Sequence, residues 1–388
     1  MTTFVDLAVA GGGPAGLAAA IQAAQVGMNV VVLDPRRGVI DKACGEGIMP
    51  AGVEALEELG LRPHGVPFIG VEYADARDPS SCAAGFFPFG TMGLGVRRTA
   101  LHSAMRRRAE LLGVRFRDER VTSFEQQTNG ILVNGELHGR WLVGADGLRS
   151  DVRRMLGVER PRRAPARVGI RRHYAVRPWS DCVQVYFGET AEAYVTPVDA
   201  QLVGVAFLFE PRRDEDAGAQ RFEELLAGFP LLARRLEGKP VASRIRGSGP
   251  FEQRVARRVV GNVLLVGDAA GYIDPLTGEG VALGLATARS AIASIIDGDA
   301  NAYEARYQRL TRRYVVLTSA LLAVARRRRL HRPLLRIARA WPTAFDAALG
   351  MLAQPSGDDS ASGAGSWWRS GSTSRSDDDV TIGLDRLL

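Results

Sequence analysis

Cysteine, lysine and long apolar runs are all scarce in this chain of 388 residues, and each scarcity narrows what it can be. The three cysteines, Cys44, Cys82 and Cys182, form no Cys-x-x-Cys pair and no spacing typical of a zinc site or a disulfide framework. A reducing, cytoplasmic setting without a metal centre is therefore expected. No uninterrupted apolar run has the ~20 residues needed to span a bilayer, and a strand pattern already occupies residues 4–10, where a cleaved leader would lie. A soluble protein, at most peripheral to a membrane, follows. Lysine occurs only at Lys42 and Lys239, so the net charge of +7 is carried by arginine. The runs at 106–108 and 326–329 lack the interleaved aromatics that stack on bases, which argues against nucleic acid and for a solvated basic face attracting anionic cofactors. With 46% apolar and 24% charged residues, the chain can bury a substantial core, expected in two domains.

What is abundant is glycine, and its placement is informative. Gly11-Gly12-Gly13-Pro14-Ala15-Gly16 lies between a strand-like run at 4–10 and a helix-like run at 17–26. Gly11 permits the tight turn, Gly13 lets backbone approach a pyrophosphate, and Gly16 lets the helix pack closely on the sheet. The phosphates would rest on the helix N-terminus. A second strand pattern, 28–33, ends at Asp34, at the distance where an acid meets the ribose hydroxyls of an adenosine, with Arg36 two residues on. Far downstream, Gly267-Asp268 follows the apolar run 263–266 and offers a carboxylate to a sugar alcohol. FAD has both a pyrophosphate and a sugar alcohol, so the pair points to that cofactor.

Periodicity organises the rest. Residues 101–112 read as a helix, and short strand-like runs at 114–116, 121–124, 131–133 and 141–143, broken by Asn129-Gly130 and Asn134-Gly135, read as a β-meander. Alternation across residues 168–209 predicts an antiparallel sheet exposed on one face. A long helix is expected from Gly280 through Leu285, Ala288 and Ile292, and helix over 303–353. Residues 356–388, rich in Ser, Gly and Asp, read as a disordered tail. The fold class is α/β: a discontinuous, Rossmann-like, three-layer ββα FAD-binding domain (1–75, 96–165 and 255–300), an antiparallel-sheet substrate domain (76–95 and 166–254) and a C-terminal helical region (301–355).

Gly144-Ala145-Asp146-Gly147, taken with the glycine fingerprint and Gly267-Asp268-Ala269-Ala270, resembles the superfamily of aromatic-ring hydroxylases (group A flavin monooxygenases), geranylgeranyl reductases and flavin halogenases, over roughly residues 1–300. The resemblance implies that Asp146 and Gly147 flank the cofactor cleft, that Asp268 binds the ribitol and that Arg98 reaches the phosphates. It also implies that Pro275 faces the flavin edge while backbone N–H groups of Gly278, Gly280 and Val281 stabilise negative charge on the reduced ring. Asp146 can equally serve as a helix cap. Cys44-Gly45 resembles the Cys-Gly-Gly segment that the reductases place beside the flavin, although Cys44 as a packing residue is the simpler reading. Val121 completes the cofactor candidates, and Tyr186, Tyr194 and Phe207 are the substrate candidates.

The sequence departs from each branch of the superfamily. Gly271 and Val281 stand where hydroxylases carry His and Asn, while the reductases' Tyr-x-Trp-x-Phe-Pro survives only as Tyr194-Val195-Thr196-Pro197. The expectation is an FAD-dependent monooxygenase, single-component and NAD(P)H-dependent, hydroxylating a hydrophobic aromatic or polyketide-like small molecule of secondary metabolism through a flavin C4a-hydroperoxide. With one dinucleotide fingerprint, NAD(P)H would visit transiently. The alternatives are a C=C reductase of the geranylgeranyl type and a non-catalytic flavin-binding regulator. No histidine stands out as a catalytic base, and a monomer or homodimer is expected. The arginine-rich segment 314–352 reads as a helical cap across the domains, with contact to an anionic membrane as the alternative.

Overall fold

The computed structural model describes residues 3–353, apart from residues 79, 164 and 212–218. Thr3–Ala10 and Val30–Leu33 are apolar at consecutive rather than alternate positions, the pattern of strands covered on both faces. They pair in parallel, Leu7 opposite Val30 through Ala10 opposite Leu33, and the helix Pro14–Gln25 makes the crossover. On its other side Thr3–Ala10 pairs in parallel with Leu137–Gly144, which pairs in parallel with Val263–Leu265. The helices Arg98–Leu111 and Gly280–Ile296 pack on Pro14–Gln25. Phe124–Gln127 and Gly130–Val133 form the meander, joined antiparallel to Leu137–Gly144. Val121 lies outside it, three residues before its first strand. This is the Rossmann-like arrangement, assembled from segments far apart in the chain.

The second sheet has seven strands, in the order Arg246–Ser248, Val168–Tyr174, Leu202–Phe209, Ala191–Asp199, Cys182–Phe187, Gly70–Asp75 and Cys82–Phe86. Two expectations are corrected here. Gly70–Asp75, grouped from sequence with the nucleotide-binding part, is hydrogen-bonded into this sheet, parallel to Cys182–Phe187. Periodicity reports that a segment is a strand but not which sheet it joins. Second, the sheet is not exposed on one face: all six residues of Cys182–Phe187 are buried. One face packs Tyr186, Phe207 and Val205 with Phe222, Phe229 and Leu232 from the helices Ala219–Ala227 and Pro230–Leu236. The other face turns toward the first sheet.

The C-terminal region is three helices, Ala302–Ala325, Arg328–Ala340 and Pro342–Ala353. Pro342 opens the last one at a position where its missing N–H costs nothing. Tyr303 is fully buried and its hydroxyl donates to the Leu265 carbonyl at 2.9 Å, tying the first helix of the region to the parallel sheet. The second and third pack on the edge strand Cys82–Phe86. No described helix is long and apolar enough to cross a membrane. The tail expected over 356–388 lies outside the described residues.

Candidate functional site

Between the two sheets lies a cavity of about 1000 Å³. At one end is the glycine turn. Gly11 has φ 103°, and a Cβ there would stand 2.6 Å from the Ala145 carbonyl oxygen. Gly16 does not line the cavity; a Cβ there would meet the Gly11 carbonyl oxygen at 1.9 Å, so this glycine serves the close approach of helix to strand. Gly13 caps the helix Pro14–Gln25 without any side-chain hydrogen bond, and no acidic residue lies in the first turn. The bare N-terminus, with Gly11, Gly13, Pro14 and Ala15, lines the cavity.

Arg98, at the start of its helix, comes to this same place. It is buried, its Nη2 is the nearest atom to a Cβ built on Gly13, at 4.0 Å, and its Nη1 has no hydrogen-bond partner. Burial lowers its pKa, as expected of a cation held away from water. An unpartnered guanidinium beside a bare helix N-terminus suits a pyrophosphate in charge and in donor geometry.

Asp34 lines the cavity beside the turn. Its carboxylate accepts from the Gly12 N–H at 2.7 Å and from the Arg36 backbone N–H and guanidinium at 2.7–2.9 Å. Burial alone would raise this acid; the bonds from Arg36 and Gly12 outweigh it and hold the carboxylate below its usual range. Asp146 is not the N-cap of the helix that follows it, which is Ser150. It lines the cavity, and its carboxylate accepts from Ser150 Oγ at 2.5 Å and from the N–H groups of Asp151 and Val152 at 2.7 and 3.1 Å, supplementing the Ser150 cap of the short helix Asp151–Met155.

Val121, Cys44, Gly45, Gly147, Gly267, Asp268, Pro275, Gly278, Gly280 and Val281 complete the expected lining. Cys44 is half-buried and burial pushes its thiol up, so it stands there as a neutral thiol. Gly278 has φ 72° and ends the one-turn helix Pro275–Thr277 immediately before the N-terminus of Gly280–Ile296. Sequence reasoning missed what holds this loop. The buried Tyr314 hydroxyl donates to the Asp274 carbonyl at 3.1 Å and accepts from the N–H groups of Ile273 and Asp274. Arg167 bridges the carboxylates of Glu192 and Asp274.

Of the substrate candidates, only Tyr194 reaches the cavity, as a phenol that burial raises well above its ordinary pKa. Tyr186 and Phe207 are corrected: both point to the opposite face, into the core around Phe222 and Phe229. Strand side chains alternate, so Val183 and Val185 rather than Tyr186, and Ala206 and Leu208 rather than Phe207, face the cavity. Met49, Phe68, Val71, Tyr73, Leu276 and Leu349 extend the apolar wall.

Several charged residues also went unforeseen. Lys42 Nζ stands 3.7 Å from the Asp268 carboxylate. Glu46, at φ 60°, lines the cavity and accepts from the Arg98 N–H at 2.8 Å. Its other oxygen is 2.5 Å from His173 Nε2. Arg171 joins them, 2.6 Å from Asp41 and 3.6 Å from Glu46. Lys42 and Glu46 are loop charges without periodicity, and Arg171 and His173 are ionisable residues within a strand; neither pattern marks a site from sequence. The one available hint was the density of ionisable residues in Asp41-Lys42-Ala43-Cys44-Gly45-Glu46. No cluster of three or more His, Cys, Asp or Glu suited to a metal occurs among the described residues.

A phosphate cradle at one end of the cavity, a carboxylate beside it for a ribose, a second carboxylate across the sheet and an apolar chamber beyond define a flavoenzyme. The FAD binding domain model matches residues 4–303, and the chain belongs to that family of FAD-dependent oxidoreductases. It is 30% identical to the menaquinone reductase of Mycolicibacterium smegmatis over 80% of this chain and 81% of that one. It is 28% identical to digeranylgeranylglycerophospholipid reductase 1 of Methanothermobacter thermautotrophicus, covering 80% and 83%. Among solved structures, Klebsiella pneumoniae HpxO complexed with FAD and uric acid shares the fold with a TM-score of 0.76 at 20% identity, covering 91% of this chain and 98% of that one.

Proposed function

We propose that this protein is an FAD-dependent reductase of carbon–carbon double bonds in a polyprenyl-bearing lipid. The observation that carries this reading is the apolar chamber walled by Met49, Phe68, Val71, Val183, Val185, Leu208 and Leu349. It suits a hydrocarbon chain better than a small polar ring. The names of the curated relatives point the same way, since menaquinone and geranylgeranyl lipids share polyprenyl chains. Cys44-Gly45 on the cavity wall agrees with the reductase branch.

Bound FAD would supply two-electron chemistry. The chain's own part is to hold it: the N-terminus of Pro14–Gln25 and Arg98 at the pyrophosphate, Asp34 at the adenosine ribose, Asp268 at the ribitol and the N-terminus of Gly280–Ile296 at the ring. The apolar wall excludes water and lays the double bond along the cofactor. The reductant is a nicotinamide dinucleotide that visits without a domain of its own.

The monooxygenase expected from sequence is the second reading, because Gly144-Ala145-Asp146-Gly147 and Gly267-Asp268-Ala269-Ala270 resemble both branches alike. Assay under strict anaerobiosis separates the two. Saturated product formed from a polyprenyl quinone or lipid without O₂ supports the reductase, whereas ¹⁸O from ¹⁸O₂ in the product would establish the hydroxylase in its place.

A further inference from the structure

The stretch between Glu304 and Asp346 contains eleven arginines and no acidic residue. Part of that charge is neutralised within the fold: Arg306, Arg326 and Arg332 pair with Asp297, Glu210 and Asp75. Arg329 and Arg336, on the helix Arg328–Ala340, are exposed. Between these arginines runs an outward apolar stripe, Leu330, Pro333, Ile337 and Trp341, at helical spacing. Ile337 is 59% and Trp341 68% exposed.

A second apolar feature sits at the same edge of the second sheet. The turn after the edge strand Cys82–Phe86 presents Phe89 fully to solvent, with Met92 51% exposed and Phe86 also exposed. This turn and the C-terminal helices are physically joined. The Phe86 N–H donates to the Asp346 carboxylate at 2.8 Å, and Arg339 donates to the Ser80 carbonyl at 3.0 Å. Large aromatic, aliphatic and methionine side chains turned outward from both segments are what a soluble surface avoids.

The cavity reaches the underside of this edge. Leu349, from the last helix, lines the cavity, and Phe87 packs on Phe68, another wall residue, with ring centroids 5.7 Å apart. On the inner side of the arginine-rich helix, Leu335 shares a core cluster with Phe187 and Leu276, packed against Tyr73 and Tyr194 of the cavity wall. One layer of side chains therefore separates the apolar chamber from the exposed apolar edge.

We propose that this edge docks on the surface of an anionic lipid bilayer, and that the lipid substrate passes from the bilayer into the chamber beneath it. The inference rests on the polyprenyl reading for the identity of the passenger, but the docking itself does not. Arginine heads would meet anionic headgroups while Leu330, Ile337, Trp341, Phe89 and Met92 sink to the acyl boundary. An apolar edge alone would equally suit a second copy of the chain. The arginines favour lipid, because two such surfaces facing each other would bring like charges together.

Co-sedimentation of the FAD-loaded full chain with vesicles tests the docking. Binding to phosphatidylglycerol vesicles, with little to phosphatidylcholine, is expected. The doubles Phe89→Ser/Trp341→Ser and Arg329→Glu/Arg336→Glu should each weaken it at least about tenfold, with melting temperature and flavin content unchanged, since all four side chains are exposed. Both doubles should keep wild-type turnover on a short, detergent-dispersed polyprenyl substrate and lose turnover on substrate embedded in vesicles. Wild-type protein that ignores anionic vesicles, or doubles that bind them as well as wild type, would overturn the proposal. So would a dimer in solution that the doubles split, which would assign the edge to self-association. Vesicle binding lost in the doubles, with no reductase turnover in any form, upholds the docking surface and removes the polyprenyl reading alone.

Discussion

At the residue scale, two glycines of one fingerprint are expected to fail differently. A Cβ at Gly16 would sit 1.9 Å from backbone, where nothing can yield, whereas at Gly13 the nearest atom is the end of a flexible arginine 4.0 Å away. Gly16→Ala should lower the melting temperature of the apoprotein or prevent its folding. Gly13→Ala should leave that temperature within about 1 °C of wild type and yet purify pale, because its methyl group occupies the approach of the pyrophosphate. Thermal melts and the 450 nm flavin band distinguish the two. Glu279 supplies a pH prediction. It is buried with one carboxylate oxygen unpartnered, and burial raises it to about 7. The folded state thus holds its proton more tightly than the unfolded state, so its contribution is fully present below about pH 4.5 and is lost as pH rises through 7. Glu279→Gln should therefore stabilise the protein at pH 8, by on the order of 1–3 kcal/mol, and change little at pH 4.5. Melting curves at the two pH values check the sign. The two glycines could be found from sequence, because their spacing is a local signal, whereas the burial of Glu279 could not. Tyr186 and Phe207 were misplaced because alternation fixes which residues share a face and leaves open which face is the cavity.

At the element scale, the parallel strands and the helix from Gly280 were legible because apolar runs, caps and 3.6-residue periodicity are local. The edge between the two sheets was not. Gly70–Asp75 is an ordinary strand by pattern, and only its long-range pairing with Cys182–Phe187 assigns it. The bracing of the Asp274 to Gly278 loop was hidden for the same reason. Its partner, Tyr314, lies 40 residues away in sequence on a helix read only as a cap. Tyr314→Phe removes the acceptor for the buried Asp274 N–H and the half-buried Ile273 N–H, and should cost about 1–3 kcal/mol. If the loop positions the flavin edge, the variant should also weaken FAD binding without altering Arg98 or Asp34 at the far end. Chemical denaturation with and without FAD measures both effects.

At the scale of the whole molecule, the family, the cofactor and the two-sheet architecture were all readable, because the fingerprint motifs carry enough chemistry to define a single coenzyme. The edge proposed to dock was only half visible: the arginines were plain, but their proximity to the turn around Phe89 depends on the tertiary fold. FAD that bridges both ends of the cavity should stabilise the entire body rather than one half of it. At a hundredfold excess over its dissociation constant it should add about 2.7 kcal/mol and raise a single cooperative transition. Asp268→Ala, lacking a charge-assisted bond worth roughly 1.5–3 kcal/mol, should show a smaller rise at the same concentration.

The order of strands in the parallel sheet also constrains biosynthesis. Thr3–Ala10 is translated well before Leu137–Gly144, beside which it lies, and the neighbour of that strand, Val263–Leu265, follows far later. At 5–20 residues per second, Thr3–Ala10 waits on the order of ten seconds for its second partner. During that interval the strand is covered on one side only, by Val30–Leu33, and its other edge stays open until Leu137–Gly144 arrives.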